Sequence, residues 1–232
     1  MIHDLTHTTL KLVDAPLPFE AAHKAHIDVF WNQAFEANPR LWNGVFYMFS
    51  DVKIEDGVLR GNGHKTDFAT FLYWRDHVRC ASVTHITGTS FPILADGSLL
   101  AIEMAAHTAN AGRVYFPAGS FDRADIIDGH FDVVTNFSRE LEEEIGITLE
   151  PAWLYEEGTG LLAVEAGGAF HITRPLRLPM SFERVEKMWR THIKNGGDDE
   201  IARLVQITSA LHIPHLMPDY ARELCAYHFG CA

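Results

Sequence analysis

The chain of 232 residues is poor in most features that would mark a specialised environment. Its three cysteines, Cys80, Cys225 and Cys231, have neither the spacing of disulfide pairs nor that of a zinc site, so free thiols in a reducing compartment are the default. No run approaches the roughly 18 apolar residues that a membrane span needs. The start, Met1-Ile2-His3-Asp4-Leu5-Thr6, lacks a basic n-region and an apolar h-region, so no signal peptide is expected and a cytoplasmic location is. Positive charge is scarce: 19 Lys and Arg stand against 31 Asp and Glu, a formal net charge of −12. That balance argues against nonspecific nucleic-acid or anionic-membrane partners, both of which need basic surface. It would also repel a phosphorylated ligand unless a metal ion offset it locally. No internal repeat or low-complexity tract is visible. The 14 histidines are scattered, with no pair at zinc-helix spacing beside a glutamate, and read as surface or satisfied core residues. What remains is an ordinary globular composition, 47% hydrophobic and 22% charged. The length fits one enlarged domain, or one domain plus an appendage.

The most informative segment is Arg139-Glu140-Leu141-Glu142-Glu143-Glu144-Ile145-Gly146-Ile147. At 100° per residue, Glu140, Glu143 and Glu144 fall within about a quarter to a third of a helix circumference. Leu141 and Ile145 continue a different stripe, set by Val134 and Phe137, that suits a core. Like charges at i,i+3 and i,i+4 cost a few tenths of a kcal/mol per pair, and a helix built only for solubility would intersperse lysines. Clustered carboxylates are the ligands that hard divalent cations take. Gly146 stops the helix, and Asp132 is placed as its N-cap.

The same residues match, in order, the second half of the Nudix box, Arg-Glu-apolar-any-Glu-Glu-any-Gly-apolar, at every specified position from Arg139 to Ile147. The chain resembles the Nudix hydrolase superfamily. The first half of the box departs from the pattern, with Asp125 where glycine is expected and Phe131 where glutamate is expected. Phe116-Pro117-Ala118-Gly119 looks like the entry to the box loop, which is then longer than the family's by about six residues, among them Asp122, Asp125, Asp128 and Gly129. The missing glutamate normally helps hold the box arginine, so another acid must hold Arg139. Asp128 is the first choice, because Gly129 beside it permits a tight approach, and Asp132 is the second.

The resemblance implies a Nudix-type α/β/α sandwich with a mixed sheet over residues 78–232, preceded by an N-terminal α+β extension over residues 1–77. It implies a hydrolase that cleaves the pyrophosphate bond of a nucleoside diphosphate linked to another moiety, with Mg²⁺, or alternatively Mn²⁺, as cofactor. Glu140 and Glu144 would bind the metal directly, Glu143 would be a further ligand or a base acting through water, and Arg139 would brace a glutamate. Glu142 lies off the arc and is dispensable. A distal base or ligand is expected among Asp198, Asp199 and Glu200, with Glu156, Glu157 and Glu165 as weaker candidates. Asn38-Pro39-Arg40-Leu41-Trp42-Asn43-Gly44 and Thr66-Asp67-Phe68 through Leu72 are similar to the extension of UDP-sugar pyrophosphatase-type members, which ranks a nucleotide sugar first among substrates. Trp42, Tyr73, Trp74 and Tyr115 could stack a base or fill the core. The small-molecule partner leaves room for a homodimer. The other class of reading is a Nudix-fold sensor or regulatory protein that binds a nucleotide with little or no hydrolysis.

Along the chain, apolar spacing predicts a helix over Phe19 to Ala37 and strands at Val45 to Ile54 and Val58 to Arg60 around an Asp56-Gly57 turn. A short helix capped by Thr66-Asp67 follows. Strands are expected at Val83 to Leu94, Leu99 to Ala106, Arg113 to Phe116, Trp153 to Tyr155, Leu161 to Val164, Ala169 to Ile172 and Ile201 to Ile207. Ser181 and Pro218-Asp219 open two further helices.

Overall fold

The computed structural model describes residues 1–154, 160–197 and 199–230. The chain opens with β1 (Ile2–Leu5), β2 (His7–Val13) and the helix α1 (Pro18–Ala37). β3 (Val45–Glu55), β4 (Val58–Asp67) and α2 (Phe68–Tyr73) follow, and a π-helical turn over Trp74–Val78 leads on. β5 (His85–Ile93), β6 (Leu99–Met104), β7 (Val114–Tyr115) and β8 (Ala118–Ser120) precede a small hairpin, β9 (Ile126–Ile127) and β10 (His130–Phe131). The long acidic segment forms α3 (Val133–Ile145). β11 (Leu161–Ala166), β12 (Ala169–Arg177), α4 (Phe182–Lys194), β13 (Ile201–Ile207) and α5 (Asp219–His228) complete the order.

These strands make two mixed sheets. The larger has the order β1-β11-β12-β5-β6-β13, with β7 on β6 and β8 on β5, and its one parallel pair is β12 with β5. Side chains alternate across it. Gly88 and Ser90 of β5 face α3, where Asn136 Oδ1 accepts from Gly88 N at 2.9 Å and Ser90 Oγ donates to Phe137 O at 2.9 Å. Thr87 faces the other way, towards His171 of β12, whose ring stacks on Tyr220 of α5. Helices therefore cover both faces, as the α/β/α expectation required.

The smaller sheet has the order β3-β4-β2-β10-β9, so strands of residues 1–77 pair with the hairpin inserted before α3. The first segment also reaches into the larger sheet, since β1 pairs antiparallel with β11 from Ile2–Val164 to Leu5–Leu161. β3 shows why the two sheets stay together. Phe46 and Met48 pack into a cluster with Leu17, Phe19, Trp74 and Val83, while Tyr47 and Phe49 enter the main core with Phe121, Phe131 and Phe137. Phe131 stands edge-on to Phe49 and Tyr47 at centroid separations of 5.0 and 5.1 Å. Phe131 thus occupies the position of the missing box glutamate as a core aromatic. One expected strand, Trp153 to Tyr155, is absent among the described residues. Pro151–Trp153 forms a 3₁₀ turn, favoured by proline at its first position, and only Leu154 makes an isolated bridge, to Leu176. Tyr155 lies outside the described residues. Among the described residues, no helix is long and apolar enough to cross a membrane.

Candidate active site

The helix α3 is fixed at both ends by its own sequence. Asp132 accepts from Thr135 N at 2.6 Å as the N-cap, and Gly146 ends the helix at φ 76°, a left-handed conformation that glycine adopts without strain. Val133, Phe137, Leu141 and Ile145 are buried, which sets the rotation of the helix and turns Arg139, Glu140, Glu143 and Glu144 away from that core. Helix existence, caps and orientation all follow from the residues themselves.

Arg139 is held by Asp125. Its Nε donates to Asp125 Oδ1 at 3.0 Å and its Nη2 to Oδ2 at 2.9 Å, a fork-to-carboxylate pair with a fully buried acid. Asp125 Oδ2 also accepts from Asn136 Nδ2 at 2.8 Å and from Asp122 N at 2.8 Å. Neither acid favoured from the sequence has this role. Asp132 is engaged as the helix cap. Asp128 and Gly129 form the two-residue turn of the β9–β10 hairpin, both at positive φ (49° and 76°), as a type I′ turn requires. The glycine that was expected to give Asp128 close approach serves to turn the chain.

From this anchor Arg139 reaches two box glutamates. Nη2 lies 2.7 Å from Glu140 Oε1, and Nη1 lies 2.8 Å from Glu143 Oε2. The two then diverge. Glu143 is 56% exposed, whereas the Glu140 side chain is 12% exposed. Burial, reinforced by the charge on Glu143 and opposed by Arg139, pushes the Glu140 carboxyl up to about 7. Glu140 packs directly over Gly119, where an added Cβ would overlap the carboxylate. A side chain at that position, which lies on β8, would force the Glu140 carboxylate to move.

Glu140, Glu144 and Glu200 line one cavity of about 500 Å³, together with Gly119, His107 and Trp42. Glu143 and Glu142 are not part of that lining. Of the distal candidates, Glu200 is brought in at the start of β13, while Asp199 is 83% exposed and lies 3.4 Å from His107. Asp198, Glu156 and Glu157 lie outside the described residues. Glu165 points to His3 at 3.6 Å, away from the cavity. Among the described residues, no three His, Cys, Asp or Glu side chains are drawn close enough together to share one ion in this conformation, with Glu140 and Glu143 both leaning on Arg139. Of the aromatic candidates, Trp42 is 81% exposed at the cavity mouth and Tyr115 lines the cavity wall. Burial and the negative charges of Glu144, Glu200 and Glu140 hold the Tyr115 phenol well above its ordinary range. Trp74 is a buried wall residue of a neighbouring cavity, and Tyr73 packs among Phe19, His23 and Phe30 on α1.

The residues that sequence reasoning missed are Asp125, His107 and the histidines of the neighbouring cavity, His85 and His171. An Asp-Gly pair between Ile126-Ile127 and His130-Phe131 carried the hairpin signal that would have freed Asp128 from the bracing role. Nothing in the sequence pattern pointed to the histidines.

No protein-family model matches the chain, and no curated protein matches it. Among solved structures it is similar to the MutT protein from Methanosarcina mazei Go1, at 18% identity over 62% of this chain and 92% of that chain, with a TM-score of 0.42. It is also similar to the MutT NUDIX hydrolase from Burkholderia pseudomallei (20% identity, 61% and 95% covered, TM-score 0.38). A third likeness is to the NUDIX hydrolase from Nitrosomonas europaea (19% identity, 53% and 72% covered, TM-score 0.34).

Proposed function

We propose that this chain is a metal-dependent hydrolase that cleaves the pyrophosphate bond of a nucleoside diphosphate linked to another group, with a nucleotide sugar as the favoured substrate. The observation that carries the reading is Glu140: a buried carboxyl, raised to about 7, set over a glycine in the cavity that Glu144 and Glu200 also line. Desolvating an acid in this way costs stability, and a site that receives a cation is what offsets the cost. The donor set, all carboxylate oxygen, fits a hard divalent ion such as Mg²⁺, with Mn²⁺ as the alternative. Glu140 and Glu144 would hold it, with Glu143 or Glu200 as a further ligand. When bound, such an ion supplies charge neutralisation for the diphosphate and acidifies a water.

The remaining work belongs to the chain. Gly119 leaves room for the Glu140 carboxylate against the backbone, where an added Cβ would displace it. Arg139, tied to Asp125, holds Glu140 and Glu143 at 2.7 and 2.8 Å on the same side of the helix, and their carboxylates would turn from it to take an ion. Glu200 and His107 stand across the cavity as candidates to move a proton. Arg40, Leu41, Trp42 and Gly44, from the segment similar to UDP-sugar pyrophosphatase-type members, line the mouth of the same cavity. This placement is what favours a sugar-bearing substrate. The regulatory reading rested on the missing box glutamate, and Asp125 supplies an acid for Arg139 in its place.

The test is a panel of nucleotide sugars, dinucleotides and nucleoside triphosphates, assayed with and without Mg²⁺ for release of a phosphatase-sensitive product. Wild type should turn over at least one diphosphate class in Mg²⁺. Glu144→Gln should lose about two orders of magnitude or more with an unchanged thermal midpoint. Turnover in Glu144→Gln close to wild type, or none in wild type on any substrate, overturns the reading.

A further inference from the structure

Outside the carboxylate cavity, the end of α3 is gripped by a histidine of α4. The helix α4 buries Val185 and Trp189, one turn apart, in the main core. His192 follows them at i+7 and i+3, on the same side of α4. Its Nε2 lies 2.8 Å from the main-chain oxygen of Glu143. A carbonyl can only accept, so Nε2 carries a hydrogen and donates.

That oxygen is among the last four carbonyls of α3, which no later turn of the helix can satisfy. Glu142 O accepts from Gly146 N at 2.8 Å as the chain leaves the helix. The next carbonyl, of Glu143, takes the His192 ring, so α3 is capped by a side chain from another helix. Two glycines leave space for the ring. A Cβ on Gly146 would stand 2.6 Å from Cβ and Cγ of His192, and one on Gly197 would overlap Cδ2 and Nε2. Gly197 is not at positive φ, so its backbone conformation does not call for glycine, whereas a side chain there would displace the ring. Gly197 N also donates to His192 O at 3.0 Å. One residue thus ties the exit of α4 to the exit of α3.

The two cavity carboxylates of α3 are anchored at different points. Glu140 is joined through Arg139 to Asp125 and packs over Gly119. Glu144 lies one turn further on, next to the residue whose carbonyl His192 holds. The direction of its side chain follows the backbone of that last turn. We propose that His192 is a positioning residue of the candidate site, which caps the last turn of α3 and thereby keeps the Glu144 carboxylate aimed into the cavity. The grip stands on the geometry alone, and its consequence for a bound ion rests on the hydrolase reading.

The experiment compares the full chain with His192→Phe and His192→Gln. Phenylalanine keeps a flat ring between the glycines and removes the donor. Glutamine restores the donor, because its Nε2 is as many bonds from Cα as the histidine Nε2. Amide hydrogen exchange is measured in EDTA, and Mn²⁺ affinity by titration calorimetry. His192→Phe should speed exchange at the amides of Glu143 to Gly146 by about tenfold and leave those of Asn136 to Arg139 unchanged. It should also weaken Mn²⁺ binding by about tenfold, and His192→Gln should recover most of both effects. Gly197→Ala crowds the ring from the loop and guards against a folding defect in His192→Phe; it should show the same pair of effects in smaller measure. Unchanged exchange at the last turn overturns the proposal. So does faster exchange with wild-type Mn²⁺ affinity, which would make the ring a helix cap and nothing more. Turnover of the diphosphate panel by a His192→Phe protein of wild-type ion affinity overturns it and leaves the hydrolase standing. Weakened Mn²⁺ binding in the variant, with no turnover by wild type, supports it and removes the hydrolase. Absence of Mn²⁺ binding by wild type overturns both.

Discussion

Asp125→Asn is the sharpest test of how the candidate site is held together. The substitution keeps size and removes charge. Asp125 Oδ2 accepts from three donors (Arg139 Nη2, Asn136 Nδ2 and Asp122 N), while Oδ1 accepts from Arg139 Nε alone. The asparagine will therefore place its oxygen where Oδ2 was and its NH₂ against Arg139 Nε. One charge-assisted bond is lost, a donor meets a donor, and the guanidinium loses its buried counter-charge. Breaking a buried pair costs about 3–5 kcal/mol. Arg139 is 21% exposed and keeps Glu143 and Glu140, so a loss of about 2–3 kcal/mol is expected here. Function should suffer separately, because Arg139 then swings towards the glutamates alone. Loss of such a supporting group typically costs about 10–100-fold in activity. The assay is a urea midpoint together with turnover at saturating Mg²⁺, run beside Asp128→Asn, which sits at the exposed hairpin turn and should change neither. Wild-type stability and turnover in Asp125→Asn, or a larger loss in Asp128→Asn, would refute the assignment of the brace.

Glu142→Gln should leave turnover within about twofold of wild type, since Glu142 is exposed and its contact is Thr148 Oγ1 at 3.3 Å; a loss comparable to Glu144→Gln means that α3 is rotated differently. Glu140 has a folded value of about 7 against an ordinary 4.5, so between those pH values the native state holds a proton that the unfolded state has released. Stability of the metal-free protein should therefore be highest below about pH 4.5 as far as this group is concerned, and fall as pH rises through 7, by up to about 3 kcal/mol. Thermal midpoints in EDTA at pH 5 and 8 read this slope, and Glu140→Gln should flatten it; the same slope in the variant would sink the attribution. Phe131→Ala empties a position packed against Phe49, Tyr47 and Phe121 and should cost about 3–5 kcal/mol in urea unfolding, whereas a change under about 1 kcal/mol would mean that the hairpin is not anchored by that ring.

Local signals in the sequence were legible where the residues that matter are neighbours along the chain. The stripe, caps and stop of α3 lie within fifteen residues, and Asp67 caps α2 through Thr70 N at 2.8 Å, as its position predicted. The turn at Asp56-Gly57 falls between the paired strands β3 and β4. What was not legible depends on partners far away in sequence. β1 and β2 carry only weak alternation of their own, and are defined by β11, β4 and β10. Asp125 is recognisable as the brace only once the hairpin after it has consumed Asp128, and the capping-box turn around Asp122 has aimed its carboxylate inward. The histidines looked scattered because a parallel register, invisible in one sequence, is what sets His85 and His171 side by side. Glu200 was separable from Asp199 only by where β13 starts.

The pairing of β1 with β11 has a consequence for how the chain reaches this state. Ile2 meets Val164, and Lys11 of β2 meets His130, so β1 finds its partner strand far along the chain, whereas β2 pairs with the nearer β4 and gains its second neighbour only from the β9–β10 hairpin. Loop closures of this span are slow, because their entropy must be lost before the contact rewards it. Until the hairpin forms, β2 has one open edge, its other side being paired with β4. Such edges are where nascent chains associate wrongly. Lys11, His7 and the three threonines at Thr6, Thr8 and Thr9 give this segment a polar character, which disfavours edge-to-edge association of an unpaired strand.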